Sequence, residues 1–148
     1  MELKFKKLDP AAVTPSYGTT GAACFDLTAL DNGTPHPGDS QALIYRTGLS
    51  FQIPAGWAME IHSRSGHGFK NALRLSNCCG VIDADYRGEV MVAIRGDGQQ
   101  AVTFKAGDRI AQAKLVEAPQ VQFSEVAELD STARGAGGFG STGTSARA

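Results

Sequence analysis

ALIYRTGLSFQIPAGWAMEI, which covers residues 42–61, contains three short apolar runs separated by turn residues. In the last run, Trp57, Met59 and Ile61 alternate with smaller or polar side chains. This period of two is typical of a β-strand with one face buried and the other exposed. A Pro-Ala-Gly turn separates that run from the one before it. The stretch therefore predicts consecutive strands joined by tight turns.

The same alternation extends outward in both directions along the chain. Leu3 and Phe5 alternate with lysines, and the apolar residues at 90, 92 and 94 alternate with Met91 and Ala93. Residues 102–104 form another short apolar run, which is predicted as a strand, and residues 109–117 alternate well enough to be predicted as a strand too. The 18 glycines and 6 prolines leave few segments long enough for a helix. We expect an all-β sandwich or barrel with one short helix around residues 66–73.

Length and charge narrow the functional classes. At 148 residues the chain is the size of one domain. Its formal net charge is -1 and 20% of its residues are charged, so neither a nucleic-acid partner nor a membrane partner is expected. Residues 1–8 alternate apolar and basic side chains, unlike a signal peptide or a membrane span, and we expect a cytoplasmic location. The three cysteines have neither disulfide-framework nor zinc-site spacing and are expected to be reduced thiols.

The C-terminal composition separates residues 1–130, predicted to form the β domain, from residues 131–148, predicted to form a flexible glycine-rich arm. A disordered terminus is one interpretation of such a tail. The other is a phosphate-binding segment, because glycine amides with Ser141 and Thr142 can donate to phosphate oxygens. Arg134 can clamp a phosphate and Phe139 can lie on a base. The spacing is that of a Walker A loop without its lysine, so a P-loop ATPase is not expected.

A second polar constellation surrounds Asp83 in the string GVIDADYRGEV, residues 80–90. A calcium loop would require a bidentate glutamate at its twelfth position, where the chain has Ile94. Two interpretations remain: a β-hairpin turn rich in Asp and Gly, or a catalytic segment. In the second, one carboxylate acts as general base for a water molecule and the neighbouring Tyr86 senses a sugar.

A third constellation, Arg64-Ser65-Gly66, follows a predicted strand. It lacks the Gly-x-Ser-x-Gly pattern of a nucleophilic serine. A guanidinium, a hydroxyl and backbone amides together suit an anion, while a solvated loop is the alternative. The three histidines have no metal-ligand spacing along the chain and are expected at surface or structural positions.

Taken in order, these strings resemble the five motifs of the dUTPase family. The matching strings are AACFDLTA (residues 22–29), RSG (64–66), GVIDADYRGEV (80–90), GDRIAQ (107–112) and RGAGGFGSTG (134–143). The resemblance spans residues 14–143. It implies a distorted jelly-roll and a homotrimer with three shared sites, each completed by the arm of a neighbour. It also implies hydrolysis of dUTP to dUMP and pyrophosphate, which limits uracil incorporation into DNA and supplies dUMP for dTTP synthesis.

The resemblance further implies a role for each matched residue. Asp83 would activate the water that attacks the α-phosphorus in line, and Tyr86 would pack on the deoxyribose. Asn77 and the backbone of a hairpin through Gly80 would read uracil, with Phe139 closing over the base. Mg²⁺ would be chelated by the triphosphate without a direct protein ligand, and Asp26 would support the hydrated ion. The triphosphate would contact Arg64, Ser65, Gly66, Gln112, Arg134, Gly140, Ser141 and Thr142.

Some positions depart from the family pattern, namely Cys24, Ser63, His67 and Gly96. The pair Cys78-Cys79 beside the uracil-reading residues is also unusual, and the sequence assigns it no role. Two rival functions are a dCTP deaminase of the same fold and a nucleotide-sensing protein whose arm controls a partner. Phe139 within a full fifth motif argues against the first, and Asp83 argues against sensing without catalysis. A purely structural jelly-roll protein would leave the polar strings unexplained.

Overall fold

Eleven strands and one helix are found in the part of the chain that the computed structural model describes, residues 1–98, 101–143 and 145. The strands are β1 (Lys4–Lys7), β2 (Ser16–Tyr17), β3 (Phe25–Thr28), β4 (Thr34–His36), β5 (Asp39–Arg46), β6 (Leu49–Gln52), β7 (Trp57–His62), β8 (Leu73–Leu75), β9 (Gly80–Ile82), β10 (Met91–Gly96) and β11 (Arg109–Glu117). The helix α1 (Ser65–Asn71) lies between β7 and β8.

The strands form antiparallel sheets, which confirms the all-β prediction. The larger sheet has the order β2-β3-β11-β7-β9, the second has the order β4-β5-β10-β8, and β1 pairs with β6. Inward side chains of the two larger sheets form one hydrophobic cluster, which includes Leu27 and Met59 from one sheet and Tyr45 and Val92 from the other. Two sheets packed over a shared core make a sandwich. Within the described residues neither sheet closes into a barrel.

Residues 102–104 were predicted as a strand, and this prediction is wrong. Val102 and Phe104 are buried, but the backbone at residues 101–105 has no strand partner among the described residues. The amide of Phe104 instead donates to the hydroxyl of Tyr45 at 3.2 Å, and the two rings meet edge to face. Tyr45 is fully enclosed, and this burial raises the pKa of its hydroxyl. A side chain therefore satisfies the buried amide that a neighbouring strand would otherwise satisfy.

The helix α1 is close to the predicted position. It spans Ser65–Asn71 rather than residues 66–73, because Ala72 adopts the left-handed conformation at φ 52° and ends it. Leu73 then begins β8 and enters the core. No residue of α1 is buried, and Phe69 is 95% exposed. Among the described residues, no helix combines the length and apolar character needed to cross a bilayer.

The chain changes sheets at both of the loops that flank β9. β9 pairs with β7, whereas β8 before it and β10 after it pair with each other. Residues 76–79 and 83–90 are therefore connections between sheets. This excludes the β-hairpin interpretation of the segment around Asp83, and it also corrects the expectation that Asn77 and Gly80 belong to a hairpin.

Candidate active site

Asp26 forms the centre of a compact ionic cluster on the larger sheet. Its Oδ1 forms an ion pair with Nε of Arg64 at 3.0 Å, and its Oδ2 accepts a hydrogen bond from Nη1 of Arg109 at 2.9 Å. The side chain of Asp26 is 13% exposed, whereas that of Arg109 is 55% exposed. Two guanidinium groups thus share one carboxylate, which leaves local positive charge in a chain of net charge -1. Such a cluster can bind an anion such as phosphate.

Strand register and a β-bulge create this cluster. Asp26 on β3 lies directly opposite Gln112 on β11, which in turn lies opposite His62 on β7. Residues three apart on a regular strand point to opposite faces. The register shifts between Arg109 and Ala111, and this irregularity lets Arg109 reach Asp26 while Gln112 stays opposite it.

The turn between β7 and α1 is fixed by hydrogen bonds from several elements. Nε2 of Gln112 donates to the carbonyl of Ser63 at 2.9 Å, and the hydroxyl of Ser63 accepts from the amide of Leu75 at 3.0 Å. Nε2 of His67 lies 2.8 Å from the carbonyl of Arg109, which Nη1 of Arg64 also approaches at 3.3 Å. The shorter distance favours the tautomer in which His67 donates to that carbonyl. Two departures from the family pattern, Ser63 and His67, therefore have structural roles here.

We predict that Asp26→Asn lowers the free energy of unfolding by about 2 kcal/mol, because an amide cannot replace the charge shared by two arginines. The matched control is Asp97→Asn, since Asp97 also pairs with two arginines, Arg74 and Arg95. Its side chain is 45% exposed, so water screens the pairs and the loss should be smaller than that in Asp26→Asn. Urea unfolding measures both. Equal losses would contradict the central role of Asp26.

The predicted uracil-reading residues lie beside the same end of β7. Gly80 pairs with Ile61, and a Cβ added to Gly80 would stand 3.2 Å from Cβ of Ile61 and 3.6 Å from Nδ2 of Asn77. The close packing of these groups explains why a glycine suits this position. Asn77 is exposed and Gly80 is buried. The amide side chain and the backbone of the strand thus lie close together, as a reader of a base edge requires.

Asp83 and Tyr86 lie in the loop after β9, which is held by its own side chains. The hydroxyl of Tyr86 donates to the carbonyl of Glu89 at 3.1 Å, and the ring covers Gly88, where an added Cβ would lie 2.6 Å from Cζ of the ring. The carboxylate of Glu89 accepts from the amide of Gly48 at 2.8 Å and from Nε of Arg46 at 3.1 Å. Asp83 itself is exposed.

The structure does not bring Asp83 together with Arg64 in one chain. Gly80 faces Ile61 and Ile82 faces Met59, so the chain reaches Asp83 while running toward the start of β7. Arg64 follows the opposite end of β7. Six residues separate position 58 from position 64, which corresponds to about 20 Å of extended strand. Asp83 also lines none of the four cavities that stand out in the described residues.

The glycine-rich segment that carries Arg134 lies outside both sheets. β11 ends at Glu117, and residues 119–136 are exposed. Nε of Arg134 donates to the carbonyl of Gly137 at 2.8 Å, and Phe139, at φ 46°, is fully exposed. Ser141 and Thr142 are exposed as well, and every hydrogen bond recorded between Arg134 and Gly143 stays within residues 132–143. In the described part of one chain, this segment is not brought to Asp83 or Arg64.

Sequence reasoning missed two residues of this region, Arg109 and Glu89. Arg109 was inside the fourth string and carried a charge near Gln112, but only the bulge reveals that it reaches Asp26. Glu89 was inside the third string, where a carboxylate beside Gly88 could have indicated a loop anchor. Both residues position neighbouring groups.

Known proteins similar to this chain are dUTPases. A model of the dUTPase family matches residues 11–143. A deoxyuridine 5'-triphosphate nucleotidohydrolase of Nautilia profundicola is 43% identical over 97% of this chain and 99% of that protein. One of Dinoroseobacter shibae is 47% identical over 91% of this chain and 90% of that protein. A solved structure of a Staphylococcus bacteriophage 80alpha dUTPase mutant with dUpNHpp matches with a TM-score of 0.78. The match covers 97% of this chain and 99% of that chain. The two sequences are 24% identical, so this match shows a shared fold.

Proposed function

Since the chain belongs to the dUTPase family, we propose that it hydrolyses dUTP to dUMP and pyrophosphate. The observation that carries the proposal is the spacing along β9. Gly80, beside Asn77, can read the base, and Asp83 follows three residues later, about 10 Å along an extended strand. Tyr86 packs in the same loop, where a sugar would lie between base and phosphate. Together these groups can contact the base, the phosphate and the sugar of a deoxynucleotide.

The proposed chemistry is in-line substitution at the α-phosphorus. Asp83 accepts a proton from a water molecule, and the water oxygen forms a bond to the α-phosphorus. The bond from that phosphorus to the bridging oxygen of the β-phosphate breaks, and the electron pair leaves with pyrophosphate. Asp83 is exposed and accessible to water in a single chain, as a general base needs before substrate binds. Positioning and charge stabilisation supply most of the catalysis in such reactions.

The phosphate-binding groups are proposed to come from other copies in a homotrimer. A base at Gly80 and a phosphate at Asp83 direct the nucleotide away from Arg64 of the same chain. Arg64, Ser65, Gly66 and Gln112 of a second copy would therefore hold the triphosphate. A third copy would supply the arm, residues 131–148, in which Arg134, Gly140, Ser141 and Thr142 contact phosphate oxygens and Phe139 covers the base. The boundary at residue 130 stays part of this proposal.

The charged groups fit a magnesium ion that arrives with the triphosphate. Both oxygens of Asp26 already form ion pairs with arginines, so its first task is to orient Arg64 and Arg109. Each carboxylate oxygen retains a second lone pair that can accept a hydrogen bond from a water of the hydrated ion. Mg²⁺ keeps several waters and is commonly held by phosphates with few protein ligands. When bound, it would neutralise charge on the phosphate oxygens.

Tyr86→Ala is predicted to relax discrimination against UTP. The ring is fixed over Gly88 and by its bond to Glu89, and it would occupy the space that a ribose 2′-hydroxyl needs. We expect the ratio of kcat/KM for dUTP over UTP to fall by about tenfold or more, because a removed steric contact of this kind is worth about 1–3 kcal/mol. Tyr86→Phe is the matched control, since it keeps the ring and removes only the hydroxyl. An unchanged ratio in the alanine variant would contradict the role in sugar packing.

One assay tests the proposed function as a whole. The purified chain is incubated with dUTP, UTP, dCTP or dTTP, with and without Mg²⁺, and release of pyrophosphate and ammonia is measured. We expect pyrophosphate from dUTP in the presence of Mg²⁺ and little from the other nucleotides. Ammonia from dCTP would support the deaminase alternative, and inertness toward dUTP would contradict the proposal. An active enzyme would limit uracil in DNA and supply dUMP for dTTP synthesis, and we place it in the cytoplasm.

A further inference from the structure

Glu60, His62 and Cys79 form a cluster of potential metal ligands on the larger sheet. Glu60 and His62 are two residues apart on β7 and so point to the same face. Gly80 pairs with Ile61, which places Cys79 beside His62. One ligand atom from each of the three side chains lies within 4.8 Å of the others, and all three residues are half-buried. A carboxylate, an imidazole and a thiol together match the ligand types that zinc takes in proteins.

The separations in this cluster suit a metal ion between the groups. Sγ of Cys79 lies 4.0 Å from Nδ1 of His62. Two such atoms bound to one tetrahedral zinc ion would be about 3.6 Å apart, from bond lengths of about 2.3 and 2.05 Å. Small side-chain rotations can shorten the separation of Sγ and Nδ1 by the remaining distance of about 0.4 Å. Glu60 faces the other ring nitrogen, because its Oε2 lies 3.0 Å from Nε2 of His62. A rotation of the imidazole must therefore bring one nitrogen to the ion, and one ligand atom of each residue already lies within 4.8 Å of the others.

The backbone separates the two adjacent cysteines. Cys78 has a left-handed conformation at φ 64°, and the amide of Cys79 bonds to the carbonyl of Asn77 at 2.7 Å. As a result, Sγ of Cys78 lies 4.0 Å from Nη1 of Arg74, whereas Sγ of Cys79 faces His62. Cys78 is exposed and Cys79 is half-buried. The tight turn thus assigns only one thiol of the pair to the cluster.

We propose that Glu60, His62 and Cys79 bind a thiophilic divalent cation of the zinc class, with the fourth position open to water. Thiolate and carboxylate charges together balance a divalent ion, and binding releases the thiol proton. Lys114, whose Nζ lies 3.6 Å from Oε2 of Glu60, is 42% exposed and can withdraw into solvent. A thiolate ligand favours zinc over magnesium, so this site is distinct from the nucleotide's metal. The bound ion would fasten the turn that carries Asn77 to β7.

The spacing of these three residues along the sequence did not indicate that they form a cluster. Cys79 is seventeen residues from His62, farther than the short ligand spacings that sequence motifs for metal sites contain. The antiparallel pairing of β7 and β9 brings the ligands together. Under this proposal His62 would be a metal ligand at a structural position, which the spacing of the histidines did not indicate.

Cobalt substitution tests the site directly. The metal-free full chain is titrated with Co²⁺, because a thiolate bound to Co²⁺ gives a charge-transfer absorption that carboxylate and imidazole ligands alone do not give. We expect this absorption in the parent chain and its loss on addition of Zn²⁺. Cys79→Ser should abolish it, whereas the matched control Cys78→Ser should retain it. Glu60→Gln should weaken Co²⁺ binding by about tenfold or more. Circular dichroism and thermal melting check that each variant is folded.

Each outcome of the cobalt titration either supports or contradicts the proposed metal site. Loss of the absorption in folded Cys79→Ser, with retention in Cys78→Ser, supports the site. Absence of the absorption from the parent chain at saturating Co²⁺ would overturn it, as would loss in Cys78→Ser with retention in Cys79→Ser. If Cys79→Ser fails to fold, the parent absorption and the affinity of Glu60→Gln decide, and an unchanged affinity in Glu60→Gln would refute the assignment of Glu60.

Discussion

Asp83→Asn should bind dUTP with near-normal affinity and turn it over about 10²- to 10⁴-fold more slowly, because an amide cannot accept the proton of the attacking water. The exposed carboxylate makes no side-chain hydrogen bond among the described residues, so the substitution removes no structural contact that the fold depends on. Pyrophosphate release measures kcat, and calorimetry with a non-hydrolysable imido analogue of dUTP measures binding. Near-normal pyrophosphate release would exclude Asp83 as the base.

Asp85→Asn is the matched control for that variant. Asp85 is an exposed carboxylate two residues further along the same loop, and its neutralisation should leave kcat within about twofold, since surface substitutions have small effects. Mixing tests the shared site: chains with Asp83→Asn and chains with Arg64→Ala, each inactive alone, are unfolded together and refolded. Mixed assemblies should regain turnover because one site can take intact groups from different copies. Verified mixed assemblies without activity would contradict the proposed sharing.

Removal of residues 134–148 is expected to give a folded, assembled protein with kcat/KM for dUTP lowered by about 10²- to 10⁴-fold. The fold should survive because the hydrogen bonds recorded for residues 134–143 stay within residues 132–143. The loss combines base stacking on Phe139, worth about 1–3 kcal/mol, with charge-assisted bonds from Arg134, worth about 1.5–3 kcal/mol. Steady-state kinetics measures kcat/KM, and light scattering reports assembly.

The control for this truncation removes only residues 144–148, which lie beyond the residues matched by the family model. This shorter deletion should keep near-normal kcat/KM. Full activity in the longer deletion would show that the arm is dispensable. Equal losses of kcat/KM in both deletions would show that the loss comes from residues 144–148.

Local patterns predicted the strands because strand formation depends on side-chain alternation. β7 and β11 were both recognised from a period of two, and α1 was found within two residues at its ends. Residues 102–104 have the same apolar character but lack a strand partner, since Tyr45 from a distant strand takes the amide of Phe104. Side-chain alternation indicates which face of a strand is buried, but it does not indicate which other segment pairs with the backbone of that strand.

The sequence predicted which residues belong to the candidate site, but it did not predict how they are arranged in space. Asp26 and Arg64 were named from their motifs, but their ion pair joins residues far apart in sequence. Arg109 joins them through a bulge, which shifts register without a clear sequence signal. The hairpin interpretation of the segment around Asp83, one of the two left open by the sequence, is excluded for a similar reason, because the chain changes sheets on both sides of β9.

With Asp83 and Arg64 in the proposed roles, their placement near opposite ends of β7 would make an isolated copy an incomplete catalyst. With sites shared as proposed, dilution below the dissociation constant of the assembly should abolish turnover while each subunit remains folded. A defective subunit would also lower the activity of the neighbouring sites to which it contributes residues. Mutations in either half should therefore act in a dominant-negative manner when expressed beside the intact protein.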